Sequence, residues 1–203
     1  MSFDGDMHMQ SKLLPRTIED PKYRTAPSKA ELDRHHNLAQ WHALRWEEIL
    51  DPGLPIIDAH HHLWDRPSSR FLFHEILAEV RSGHNIRATV FVDCGAFYRK
   101  SGPALMAPVG EVEFANGMAA MAAGGTYGDT LICAGIVSSA DISVGAGVAR
   151  VLDAQMAAGG GRFRGIRVTT KWDPDEALNT GRYIIPRGLM QDPDFRAGFA
   201  TLG

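Results

Sequence analysis

Three consecutive histidines, His60-His61-His62, follow a short apolar run, Leu54–Asp58, that carries Ile56 and Ile57. Side chains alternate between the two faces of a strand. If the strand continues through the histidines, Asp58, His60 and His62 share one face and His61 takes the other. Two imidazoles at i and i+2 can converge on one ion. Imidazole nitrogen suits zinc, with iron, nickel or copper as chemical competitors. The alternative is a histidine-rich surface loop that holds no ion. Asp58 reads better as a carboxylate that orients its neighbours than as a ligand. Arg167 closes another short run, Phe163–Val168. A guanidinium there can hold a substrate carboxylate through two parallel hydrogen bonds, or it can serve a structural ion pair. Trp64 and Tyr98 stand where they could line a pocket, although ordinary packing explains them as well.

These residues need elements to position them. The runs 54–58, 88–92, 130–137 and 163–168 are apolar on consecutive positions, as expected of strands covered on both faces in a parallel sheet. Helical patterns separate them at about 70–82, 110–123 and 144–158, and a further helix is expected from Asp192 to Leu202. Ser28 and Glu31 match a capping box, so a helix is expected from there to about Leu50. Its apolar face would carry Leu32, Leu38, Trp41, Leu44, Trp46 and Ile49. Alternation of β and α elements at these lengths implies an α/β fold. Residues 1–27 hold Pro15, Pro21 and Pro27 without a clean period and read as an irregular arm. Residues 28–203 read as the barrel-type domain, including its N-terminal helix.

Composition narrows the function classes. A net charge of −3 and no basic run give no electrostatic case for nucleic acid or a membrane surface. No apolar stretch reaches the roughly 18 residues that a membrane span needs, and the N-terminus lacks a signal peptide's apolar core. Cys94 and Cys133 stand far apart, outside any CxxC spacing, and read as reduced thiols of a soluble, cytoplasmic protein. Gly145-Ala-Gly147 lacks the third glycine of a dinucleotide fingerprint, since Arg150 stands there. Gly159-Gly160-Gly161 lacks the lysine of a phosphate loop and reads as a helix stop. His35, His36 and His42 show no HExxH spacing. No GxSxG elbow is present.

The segment Ile57-Asp-Ala-His-His-His-Leu-Trp-Asp65 resembles the first-strand signature of the amidohydrolase-related (amidohydrolase 2) family, the branch with sugar lactonases, dicarboxylate lactonases and decarboxylases. The likeness continues through Phe91–Tyr98, Pro108–Phe114, Cys133–Val137 and Gly161–Arg167. It implies a distorted (β/α)8 barrel in which His60 and His62 bind a divalent metal, most often zinc. Further histidines and a strand-8 aspartate would complete the set. The metal would activate water against a small, anionic carbonyl, lactone or amide substrate held by Arg167. A complete barrel takes about 250 residues, and no histidine follows His84. The chain is therefore expected to be the N-terminal portion of a truncated (β/α)8 TIM barrel, about four βα units, with an incomplete site and no assigned catalytic residue. Its function is expected to be that of a metal-dependent hydrolase. The alternatives are a family lactonase that needs no metal, a decarboxylase, or an inactive fragment.

Overall fold

The computed structural model describes residues 11–15, 40–41, 43–66, 69–179 and 183–203. In chain order the strands and α-helices begin with β1 (Leu14–Pro15), β2 (Pro55–His61) and a hairpin of β3 (Trp64–Arg66) and β4 (Ser69–Phe71). Then come α1 (Phe73–Val80), β5 (Asn85–Val92), α2 (Val109–Ala123) and β6 (Leu131–Ser138). The last are α3 (Ala149–Ala158), β7 (Phe163–Ile166), β8 (Tyr183–Ile184) and α4 (Pro193–Ala200). Strands β2, β5, β6 and β7 form one parallel sheet in that order, and β1 pairs antiparallel with β8. This is the α/β fold expected, four parallel strands alternating with helices as in part of a (β/α)8 barrel.

Period-2 alternation decides which side of the sheet each residue serves. Phe91 and Ile136, paired across β5 and β6, are fully buried against Ile76 and Leu77 of α1 and Val112 and Ala115 of α2. Their neighbours Val92, buried, and Val137, half-buried, point to the opposite face. A second core lies at the other end of the chain. There Ile142, Val148, Leu152, Leu189 and Phe195 enclose Leu13 from the N-terminal segment. Lys12 reinforces this seam by reaching both Asp192 and Asp194, at 2.7 and 2.8 Å.

Several expected boundaries shift. β2 runs three residues further than 54–58, to His61, which carries two of the histidines into the sheet. The helix expected over 144–158 is α-helical only from Ala149, because residues 142–148 form 3-10 turns broken at Gly145 (φ 69°). The helix expected over 28–50 falls largely outside the described residues. Of its described part, Gln40, Trp41 and Ala43 are helical and Arg45–Ile49 carry no regular structure. Most of its described apolar side chains stay exposed, Leu44 and Trp46 at 81% and 86%, so little burial stabilises a helix there.

α4 docks on the 142–148 turn through one close approach. A Cβ at Gly198 would stand 2.0 Å from the Ile142 carbonyl oxygen, so only glycine lets the two backbones meet. Gly198→Ala is expected to lower the unfolding free energy by about 1–3 kcal/mol, the usual cost of overpacking. Urea denaturation checks this, and an unchanged midpoint would show that α4 is not held there.

Candidate functional site

The three histidines end β2, and the structure divides them as alternation requires. His61 turns inward and is 8% exposed. The Thr89 hydroxyl accepts the Cys133 N–H at 2.9 Å and is hydrogen-bonded to His61 Nε2, also at 2.9 Å. His60 and His62 turn outward over the C-terminal end of the sheet. Their Nε2 atoms lie 3.3 Å apart, with the rings edge to face at 88°. His62 Nδ1 donates to the Val92 carbonyl at 2.7 Å, which fixes its tautomer and leaves Nε2 as an acceptor. Asp58 accepts the His60 backbone N–H at 3.1 Å and so orients the strand end.

Arg167 lies just beyond β7 and is tied to the end of β5. Its backbone N–H donates to Ser138 at 2.7 Å, and its Nε donates to Asp93 Oδ1 at 3.1 Å. A second guanidinium nitrogen donates to the Asp93 backbone carbonyl. The Asp93 side chain is 10% exposed while that of Arg167 is 45% exposed. The ion pair is therefore structural, and the rest of the guanidinium faces outward. It borders a broad cleft of about 880 Å³ between the sheet end and α4. The strands contribute His60, Val92, Val137 and Ile166, and Arg196, Phe195 and Phe199 of α4 face them. No carboxylate is among the lining residues.

A metal needs more donors than this arrangement brings together. Protein zinc sites use three or four N, S or O ligands from the chain. Among the described residues, no group of three or more His, Cys, Asp or Glu is placed to hold a metal ion. His60 and His62 make a pair and nothing more, and the nearby Asp93 carboxylate is engaged by Arg167. The expectation of a divalent metal or zinc cofactor is therefore corrected. So are the expectations of a metal-dependent, amidohydrolase-type hydrolase and of an enzyme of that kind. The described residues do not supply the ligand set such an ion needs.

Other residues resolve differently from their sequence expectations. Trp64 does not line the cleft. Its Nε1–H donates to Ser69 Oγ at 3.0 Å, and its ring packs on Phe71 within the hairpin. Tyr98 is half-buried in the loop after β5 and does not border the cleft either. Both thiols are unsuited to nucleophilic work, since burial pushes Cys133 up to about 12 and Cys94 up to about 11, the latter helped by the Glu111 carboxylate. Glu111, fully buried on α2, accepts the N–H groups of Cys94 and Ala96 and so shapes the loop after β5. Arg196 and the Asp93–Arg167 pair were not legible as a unit, because about 100 residues of chain separate Asp93 from Arg196 and spacing patterns act only within one element. His35, His36 and His42 lie outside the described residues. No described helix is long and apolar enough to cross a membrane.

Burial pushes the His61 imidazole down to about 4 from its ordinary 6.5, outweighing the opposite pull of Asp58. The folded state thus binds His61's proton less readily than the unfolded chain. Stability is complete above the unfolded value and falls as pH drops from about 6.5 toward about 4. The loss across that window should be roughly 3 kcal/mol. Urea melts at several pH values test this. His61→Gln, which keeps an acceptor for Thr89 but cannot ionise, should flatten the His61 contribution, and an unaltered slope would contradict it.

No family model, no curated protein and no solved structure matches the chain. What is shown is a partial alternating β/α fold on a parallel sheet, consistent with the large superfamily of (β/α) enzymes and not specific to the amidohydrolase-related family.

Proposed function

We propose that this chain is a non-catalytic β/α module that binds a small anionic carbonyl compound, such as a carboxylate, at the C-terminal end of its sheet. The carrying observation is the composition of the cleft. Arg167, Arg196 and His60 border it, an apolar floor is supplied by Val92, Val137 and Ile166, and no acidic side chain among the described residues lines it. Parallel α/β sheets bind ligands at the carboxyl ends of their strands, where the connecting loops leave room. A guanidinium already oriented by Asp93 loses little freedom when it meets a second carboxylate. The His60–His62 pair offers a further polar contact, with His62 held in place by the Val92 carbonyl.

This reading gives Arg167 a ligand-holding role and needs no metal. A charge-assisted hydrogen-bond pair of this kind contributes about 1.5–3 kcal/mol per bond. Calorimetric titration with malonate and succinate as probes should show binding by the wild-type chain. Arg167→Lys, which keeps the charge and loses the planar fork, should weaken it about tenfold or more, as should Arg196→Ala. Absence of any heat with the wild type, or binding indifferent to both substitutions, would overturn the proposal.

A further inference from the structure

The 142–148 turn and α4, which wall the cleft through Ile142, Phe195, Arg196 and Phe199, are each started by an aspartate. Asp141 accepts the Ser143 N–H at 2.9 Å. Asp192 accepts the N–H groups of Asp194 and Phe195 at 3.0 and 3.1 Å. Residues 11–13 reach both caps. Ser11 Oγ is hydrogen-bonded to the Asp141 carboxylate, and the Lys12 N–H donates to Ser143 Oγ at 3.1 Å. Lys12 Nζ donates to Asp192 at 2.7 Å and to Asp194 at 2.8 Å. Leu13, 4% exposed, belongs to the core that also holds Ile142 and Phe195. One short segment therefore grips the starts of both wall elements and the core between them.

That grip is partial. β1 has only two residues, and Pro15 has no N–H to give to the ladder with β8. The Lys12 side chain is 36% exposed, so solvent screens its ion pairs and each contributes little. Leu13 is the main anchor. The core around Phe91 and Ile136 shares no residue with the one that takes Leu13. The segment can therefore open locally while that first core stays intact.

From these contacts we infer that residues 11–15 are a releasable clamp on the α4 wall of the cleft, and that clamp seating and anion binding promote each other. With the clamp seated, α4 presents Arg196 to the same cleft that Arg167 borders from the sheet. With it released, both cap aspartates lose their partners in the segment, and the wall that carries Arg196 is no longer fixed. Such a coupling is reciprocal. Whatever factor seating adds to the anion's affinity, the anion adds to seating. The inference rests on the carboxylate reading of the cleft and adds its regulation.

Tryptic cleavage after Lys12, followed by mass spectrometry on the full 203-residue chain, reads release directly, because the protease needs the segment free. Saturating succinate is expected to slow that cut about fivefold or more, the lower end of ordinary coupling between sites. A free peptide of the same sequence, cut at an unchanged rate, shows that succinate does not act on the protease. Lys12→Gln keeps most of the stem and loses the charge. It should weaken succinate binding about two- to fivefold and speed amide exchange in α4 while α2 keeps its wild-type rate. Lys12→Arg should restore both, and Leu13→Ala should exceed Lys12→Gln in both. If circular dichroism shows Leu13→Ala unfolded, the Lys12 pair carries the test. Succinate heat with unchanged cleavage after Lys12 overturns the clamp and leaves the carboxylate reading standing. No heat from the wild type overturns both. Exchange in α4 that ignores Lys12→Gln overturns the clamp whatever the cleft binds.

Discussion

The hydrogen bond between the Thr89 hydroxyl and His61 fixes the register on which the upper end of the sheet depends. β2 pairs with β5 irregularly, with a register shift between Asp58 and His61. A slip of one residue there would exchange the buried and exposed histidines. Thr89 prevents the slip by binding one imidazole inside and the backbone of β6 at the same time. Burial of His61 then forces His60 and His62 outward, where the Val92 carbonyl holds the second ring. The placement of the three imidazoles at the sheet end follows from this one interior contact.

The sheet end is organised by a cation and not around one. Arg167 is anchored through its backbone to β6 and through its side chain to the end of β5, so it ties three strands together. Asp93 is consumed in that task, and the Asp58 carboxylate is turned to the His60 backbone N–H. Two imidazoles in contact at 3.3 Å, a guanidinium bordering the same cleft and no group of three metal donors among the described residues are the features on which the proposed anion site rests. The preference rests on what the arginine does to its carboxylate neighbour.

Much of the fold was legible because it is local. The apolar runs around Ile57, Val90, Ile136 and Ile166 and the 3.6-residue pattern of α1 identify strands and helices without reference to their partners. The inward turn of His61 also followed from alternation alone. What failed was whatever depends on distant chain. The hairpin of β3 and β4 is too short for a periodic signal, and the fusion of Asp93 with Arg167 crosses 74 positions. The helix expected through Trp46 had a good pattern, yet Leu44 and Trp46 stay largely exposed, and amphipathic periodicity cannot report how much surface is available to bury it. The metal centre failed for the same reason. A pair of histidines is a local feature, whereas a ligand set is a property of several strands.

The central claim is that the His60–His62 end of the sheet receives a small anion and does not coordinate a metal. Parallel calorimetric titrations of the same wild-type chain with zinc chloride and with succinate test it most directly. The account predicts saturable heat with succinate and no stoichiometric zinc site. Stoichiometric zinc binding that disappears in the His60→Ala variant, with no response to succinate, would contradict it.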